Sequence, residues 1–139
     1  MSFDSERYLG PFHRTLGIEV ESAADGRAVV TLELDQQTHS SMEDRLVAQG
    51  GVVFTLADFA GGLALVTEVE SHIPTVDMRI DYLRPATSDL RAVGEVLRVG
   101  SDTGVADVLV ENSDGDDVAS ARAVFKTGEM TTGSPWEGR

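Results

Sequence analysis

One stretch near the middle of the chain limits the possible folds more than any other feature. After Gly50 and Gly51 the sequence runs VVFTLADFAGGLALVTEV, residues 52–69, with apolar side chains at almost every position. It is too long for an ordinary strand, so the pattern predicts a helix. A surface helix carries one apolar stripe, whereas this one is apolar on nearly every side and must be buried. No uninterrupted apolar run of about 18 residues, the length that a bilayer requires, is present. The burial is therefore expected inside the protein. Gly61 and Gly62 weaken the helix by about 1 kcal/mol each, which implies that a neighbouring sheet or helix needs room there.

The flanking segments change period. Residues 4–14 read as a short helix or turn broken near Gly10 and Pro11. Residues 16–24 and 27–35 read as strands joined at Asp25-Gly26, a dipeptide suited to a tight hairpin. In the second, Ala28, Val30, Leu32 and Leu34 face one way, and Val29, Thr31, Glu33 and Asp35 the other. Residues 36–48 are polar and loop-like. From residue 73 the period is two again, and strands are expected near 76–83, 89–99, 104–112 and 117–127, the last two joined at Asp114-Gly115. The order is two strands, one buried helix, then four strands. Short hairpins make such a sheet antiparallel. A curved sheet wrapped around the single helix, with a second subunit on the remaining face, satisfies the pattern, and the fold class is α+β.

A chain of 139 residues suits one domain with one core, here about 11–127, followed by a Gly, Ser, Thr and Pro-rich tail at 128–139 expected to be mobile. There are no cysteines, so disulfides, thiolate metal sites and a cysteine nucleophile are excluded. The formal charge is −13, and Lys126 is the only lysine. Such a surface repels nucleic acid. At about 1 M salt the Debye length falls to about 3 Å, so the composition reads as adaptation to a salty cytoplasm. Met1 to Glu6 hold neither a basic nor an apolar region, and cytoplasmic location is the expectation.

Asp58 is the residue that chemistry would single out. It lies between Leu56-Ala57 and Phe59-Ala60, where an unpartnered charge is costly. Either it lies on a wet strip of the helix or pairs with an arginine, or it does chemistry. Gly50 and Gly51 open the helix, where free N–H groups and the dipole favour negative charge, although glycines also start helices for steric reasons. His13, His39 and His72 show no metal-ligand spacing. No G-x-S-x-G elbow, P-loop or dinucleotide fingerprint occurs. Asn112 to Asp116 fits a hairpin turn better than a calcium loop.

Four passages together resemble the hotdog-fold thioesterases, especially the phenylacetate-degradation (PaaI-like) branch. They are PFHRTLGIEV at 11–20 with the ADGRAVVTLEL hairpin, AQGGVVFTLADFAGGLA at 48–64, PTVDMRIDYLRPA at 74–86, and DDVASARAVFKTG at 116–128. The resemblance covers about four-fifths of the chain. It implies a curved antiparallel sheet around one central helix, and hydrolysis of an acyl-coenzyme A thioester without metal or redox cofactor. It also implies a homo-oligomer, a dimer or dimer of dimers, with active sites at the subunit interface.

By the same resemblance Asp58 is the catalytic carboxylate, acting as general base or nucleophile. Gly50 becomes the N–H donor to the thioester oxygen, with Gly51 beside it. Where the family has His before the glycines this chain has Gln49, which can orient carbonyl or water but cannot carry a proton. Glu43 stands where the family often has Asn or Gln, and its charge is expected to raise the Asp58 pKa. Thr75 is a hydrogen-bonding partner near the site or an ordinary strand residue. Arg84 is a CoA-phosphate contact or an ordinary surface arginine. Phe54, Phe59 and Leu63 are candidate pocket walls. Gly50 and Asp58 are eight residues apart, about 12 Å along one helix. Both can act on one carbon only if they come from different subunits. Two rival readings remain, a non-hydrolytic acyl-CoA binder and a hydratase or dehydratase on the same fold.

Overall fold

The buried helix begins at Gly50 and ends at Val69, in a computed structural model that describes residues 3–128 and 133–136. Most of the tail for which mobility was expected, residues 129–132 and 137–139, lies outside the described residues. In chain order, a 3₁₀ turn (Ser5–Tyr8) and α1 (Pro11–Leu16) precede the hairpin of β1 (Glu19–Ala24) and β2 (Arg27–Leu32). A short α2 (Gln36–His39) and the central α3 (Gly50–Val69) follow. The chain then forms β3 (Thr75–Tyr82), β4 (Leu90–Val99), β5 (Thr103–Glu111) and β6 (Asp117–Lys126). All pairings are antiparallel, in the order β1-β2-β4-β5-β6-β3. Strand β3, which follows the helix directly, is carried to the sheet edge beside β6.

Local chemistry sets the element ends. Asp25 and Gly26 both have positive φ, +52° and +77°, as a two-residue hairpin turn requires. The first strand starts at Glu19 rather than 16 because Pro11–Leu16 forms a helix, closed by Gly17 at φ +89°. The second strand stops at Leu32 because Asp35 leaves the sheet to cap α2, accepting the Thr38 N–H at 2.9 Å. The polar segment 36–48 is more ordered than its composition suggests. His39 is buried, with Nδ1 accepting the Asp35 N–H at 2.8 Å and Nε2 bonded to the Leu16 carbonyl at 2.7 Å.

By length and composition α3 could cross a bilayer. That corrects the sequence expectation, which counted only uninterrupted apolar residues. Its apolar side chains meet the sheet instead: Ala28, Val30 and Leu32 of β2, Leu90 and Ala92 of β4, and Val108 and Val110 of β5 are all buried with it. Each such Val or Leu contributes about 1.5–3 kcal/mol. Helix and sheet backbones come close at Gly94 of β4, where a Cβ would stand 2.4 Å from the Ala60 carbonyl oxygen. Gly61 and Gly62 make room instead for the Phe125 ring, 3.2 Å from where a Cβ on Gly62 would be. The strip of α3 that the sheet leaves uncovered holds Gly51, Phe54, Thr55, Asp58 and Gly62.

Candidate active site

The edge strand β3 runs beside that strip and touches it at both ends. At its start the Thr75 hydroxyl donates to Asp58 Oδ1 at 2.6 Å. At its end the Tyr82 hydroxyl donates to the Gly50 carbonyl at 2.7 Å, with its ring against Gly50. Met78 and Ile80 point inward from β3, so Thr75 on strict alternation would point outward. The register of β3 against β6 shifts between Thr75 and Asp77, and this bulge re-aims Thr75 at the helix.

Burial pushes the Asp58 carboxyl above its ordinary pKa, opposed by the Thr75 hydrogen bond and, more weakly, by the charge of His13. Glu43 is not among the influences on Asp58 within one chain; it lies exposed in the loop, its carbonyl accepting from Gln36. The His13 imidazole, whose own pKa burial lowers, packs on Phe59 with ring centroids 4.5 Å apart. Its Nδ1 accepts the Gly10 N–H at 3.0 Å, so in the neutral ring the proton sits on Nε2. Asp58 and His13 open onto a cleft of about 220 Å³, otherwise lined mainly by apolar and aromatic side chains.

At the helix start Gln49 caps α3. Its side-chain oxygen accepts the Gly51 N–H, and its carbonyl accepts the Val52 N–H at 2.9 Å. Among the described residues, the Gly50 N–H meets no acceptor. It is the orphan donor at a positive helix end, suited to an oxyanion. Arg84 is held through Nε on the Asp117 carbonyl at 2.7 Å and stays half-exposed. Phe59 and Leu63 line the cleft, whereas Phe54 does not.

Thr75 and Asp58 thus come together, Gly50, Gly51 and Gln49 form a second cluster at the helix start, and Glu43 and Arg84 lie apart from Asp58. Tyr82 and His13 were missed as site residues. Tyr82 read as one more member of an alternating strand, and His13 lacked metal-ligand spacing. The place of His13 in the same passage as Pro11 was the available signal. A larger groove of about 680 Å³ crosses the outer sheet face. There arginines pair with acids, as in Arg122 with Asp107 at 2.6 Å and Arg91 with Glu21 at 3.2 Å, which leaves an ion-pair mosaic rather than a reactive centre.

A six-stranded antiparallel sheet around one helix, with a half-buried carboxylate on the helix and an open donor at its start, defines a hotdog-fold enzyme of the thioester-hydrolase class. The thioesterase superfamily family model matches residues 47–119, and the chain belongs to that superfamily. A Halobacterium salinarum protein carrying an esterase name is 38% identical over 99 residues, 68% of this chain and 66% of that one. The medium/long-chain acyl-CoA thioesterase YigI of Salmonella typhimurium is 31% identical over 137 residues, 87% of this chain and 88% of that one. The solved structure of the PaaI protein of Escherichia coli, from the phenylacetic acid degradation operon, superposes with a TM-score of 0.80 at 28% identity, covering 91% of each chain.

Proposed function

We propose that the protein hydrolyses acyl-CoA thioesters to the free acid and CoA, with the chemistry centred on Asp58. The observation that carries this is the carboxylate itself, half-buried at the mouth of an apolar cleft and held by Thr75. Burial makes it more basic than a surface carboxylate. It removes a proton from water, whose oxygen then adds to the thioester carbon, or it adds to that carbon itself to give a mixed anhydride. The carbonyl oxygen gains charge, which the Gly50 N–H stabilises. The C–S bond breaks and the CoA thiolate leaves; in the first route it takes the proton that Asp58 removed from water, and in the second a water then hydrolyses the anhydride, which frees the acid and Asp58 and supplies the thiol proton. Gln49, whose amide nitrogen stays available, orients carbonyl or water; Arg84, exposed nearby on the same edge as Tyr82, suits a CoA phosphate.

The site is completed by a second copy. Strand β3 is a sheet edge with exposed residues along it, Val76 being 60% exposed. Two-fold pairing of β3 with its copy is antiparallel, so the Thr75 end of one strand meets the Tyr82 end of the other. Asp58 of one protomer then approaches Gly50 of its partner. We place the enzyme as a dimer or dimer of dimers in a high-salt cytoplasm, in keeping with its charge of −13 and its Halobacterium salinarum relative.

The test is CoA release from aromatic and straight-chain acyl-CoAs in molar salt, for wild type beside Asp58→Asn. Turnover by the wild type and a loss of about 10²–10⁴-fold in the variant are expected. The folding control has a defined sign. Ionised Asp58 is disfavoured in the fold, so wild-type stability falls as pH rises through its raised pKa, and Asp58→Asn should melt no lower than wild type at pH 8. Saturable binding without turnover on any ester would instead favour the non-hydrolytic binder. Consumption of an enoyl-CoA without CoA release would favour the hydratase, for which His13 beside Asp58 supplies an imidazole.

A further inference from the structure

The cleft that opens at Asp58 continues away from it along α3. Asp58, Phe59, Leu63 and Val66 line it in succession, and eight residues at 1.5 Å each put Val66 about 12 Å beyond Asp58. The chain from His72 to Thr75 runs along the opposite wall, and Phe125 lies against Gly61 and Gly62 in the floor. The far end lies where α3 gives way to the chain that leads into β3. There the Tyr8 ring packs on His72, with centroids 4.7 Å apart, and both residues line the cleft. Tyr8 is itself backed by Phe3, stacked at 5.7 Å with an interplanar angle of 10°, and by the Arg7 guanidinium 5.8 Å from its ring centre. The trough thus has a reactive end at Asp58, apolar walls, and an aromatic block supported from behind.

We propose that the Tyr8–His72 pair is the end stop of an acyl-binding trough and sets the longest straight chain the enzyme accepts. This rests on the thioesterase reading, in which the thioester carbon sits at Asp58. An extended alkyl chain advances by roughly 1.3 Å per carbon, so about 12 Å holds eight to ten carbons. A longer chain must displace the pair or bend. Tyr8 and His72 are specificity-determining residues and take no part in bond breaking.

The ratio of kcat/KM for tetradecanoyl-CoA to that for octanoyl-CoA reads the stop directly. Wild type should favour octanoyl-CoA. Tyr8→Ala and His72→Ala should each raise the ratio at least about tenfold, and Tyr8→Phe, which keeps the ring, should leave it as in wild type. A wild type that takes both chains equally, or alanine variants that are folded yet keep the wild-type ratio, would overturn the proposal. S-alkyl-CoA thioethers from hexyl to tetradecyl separate this outcome from failure of the thioesterase reading, because they bind without being hydrolysed. Trp136, the sole tryptophan, lines the same cleft and reports occupancy by its fluorescence. Affinity should climb by about fourfold per methylene up to eight to ten carbons and then level off in wild type, but keep climbing in Tyr8→Ala. Affinity independent of chain length would sink the trough, whatever the esters do.

Discussion

Asp58 is subject to opposing influences, and Thr75 mediates between them. Burial favours the protonated acid, while the Thr75 hydroxyl favours the carboxylate that catalysis uses. Thr75→Val removes the donor and keeps the shape, so the Asp58 pKa should rise further. The acidic limb of kcat/KM should move to higher pH, with the loss greatest on the acid side of the profile and mostly recovered on its alkaline side. A loss of the same factor at every pH would mean that Thr75 acts only on geometry. Asp58 could be picked out from sequence because a charge inside an apolar helix has few structural explanations. The Thr75 contact could be suspected but not assigned, since it depends on a bulge that alternation alone does not reveal. His13 and Tyr82 were harder still. Their partners, Phe59 and Gly50, are 46 and 32 residues away in the chain, and no local pattern joins them.

Among the elements, the central helix and the two tight hairpins were legible because their signals are local. The apolar run sets the helix, and Asp25-Gly26 and Asp114-Gly115 set the turns. The early end of β2 was not legible, because the Asp35 side chain competes with the sheet for the chain's direction. Nor was the glycine at which the backbones of helix and sheet meet. The glycine pair in α3 marked a crowded helix, but Gly94 on the strand, against the Ala60 carbonyl, has less room than either. Gly94→Ala should therefore push the two elements apart. A loss of about 1–3 kcal/mol is expected, seen as a fall in Tm of at least about 4 °C. A Tm within a degree of wild type would mean that the helix can shift on its sheet without penalty.

At the scale of the molecule, both halves of the proposed site lie on one edge, yet too far apart along α3 to share a substrate carbon within one chain. Complementation tests whether two chains share it. Gly50→Pro removes the proposed donor with little insult to the helix, because the first helical position tolerates proline and Gln49, at φ −63° and ψ +140°, has the conformation that a residue before proline favours. Its activity should fall by about 10²–10³-fold. Asp58→Asn should be similarly crippled. When the two are unfolded together and refolded at equal concentration, half of the dimers pair unlike chains. In each of these, one site joins Asp58 from the proline variant to Gly50 from the asparagine variant. The other site carries both defects. Activity should return to roughly a quarter of the wild-type value. Each variant refolded alone should stay inactive, and mixing without unfolding should restore activity only as fast as subunits exchange. If the unfolded and refolded mixture is no more active than its parts, Gly50 and Asp58 do not meet across the β3 edge. The donor would then have to be sought near Asp58 within its own chain, where His13, on the same cleft, carries a proton on Nε2.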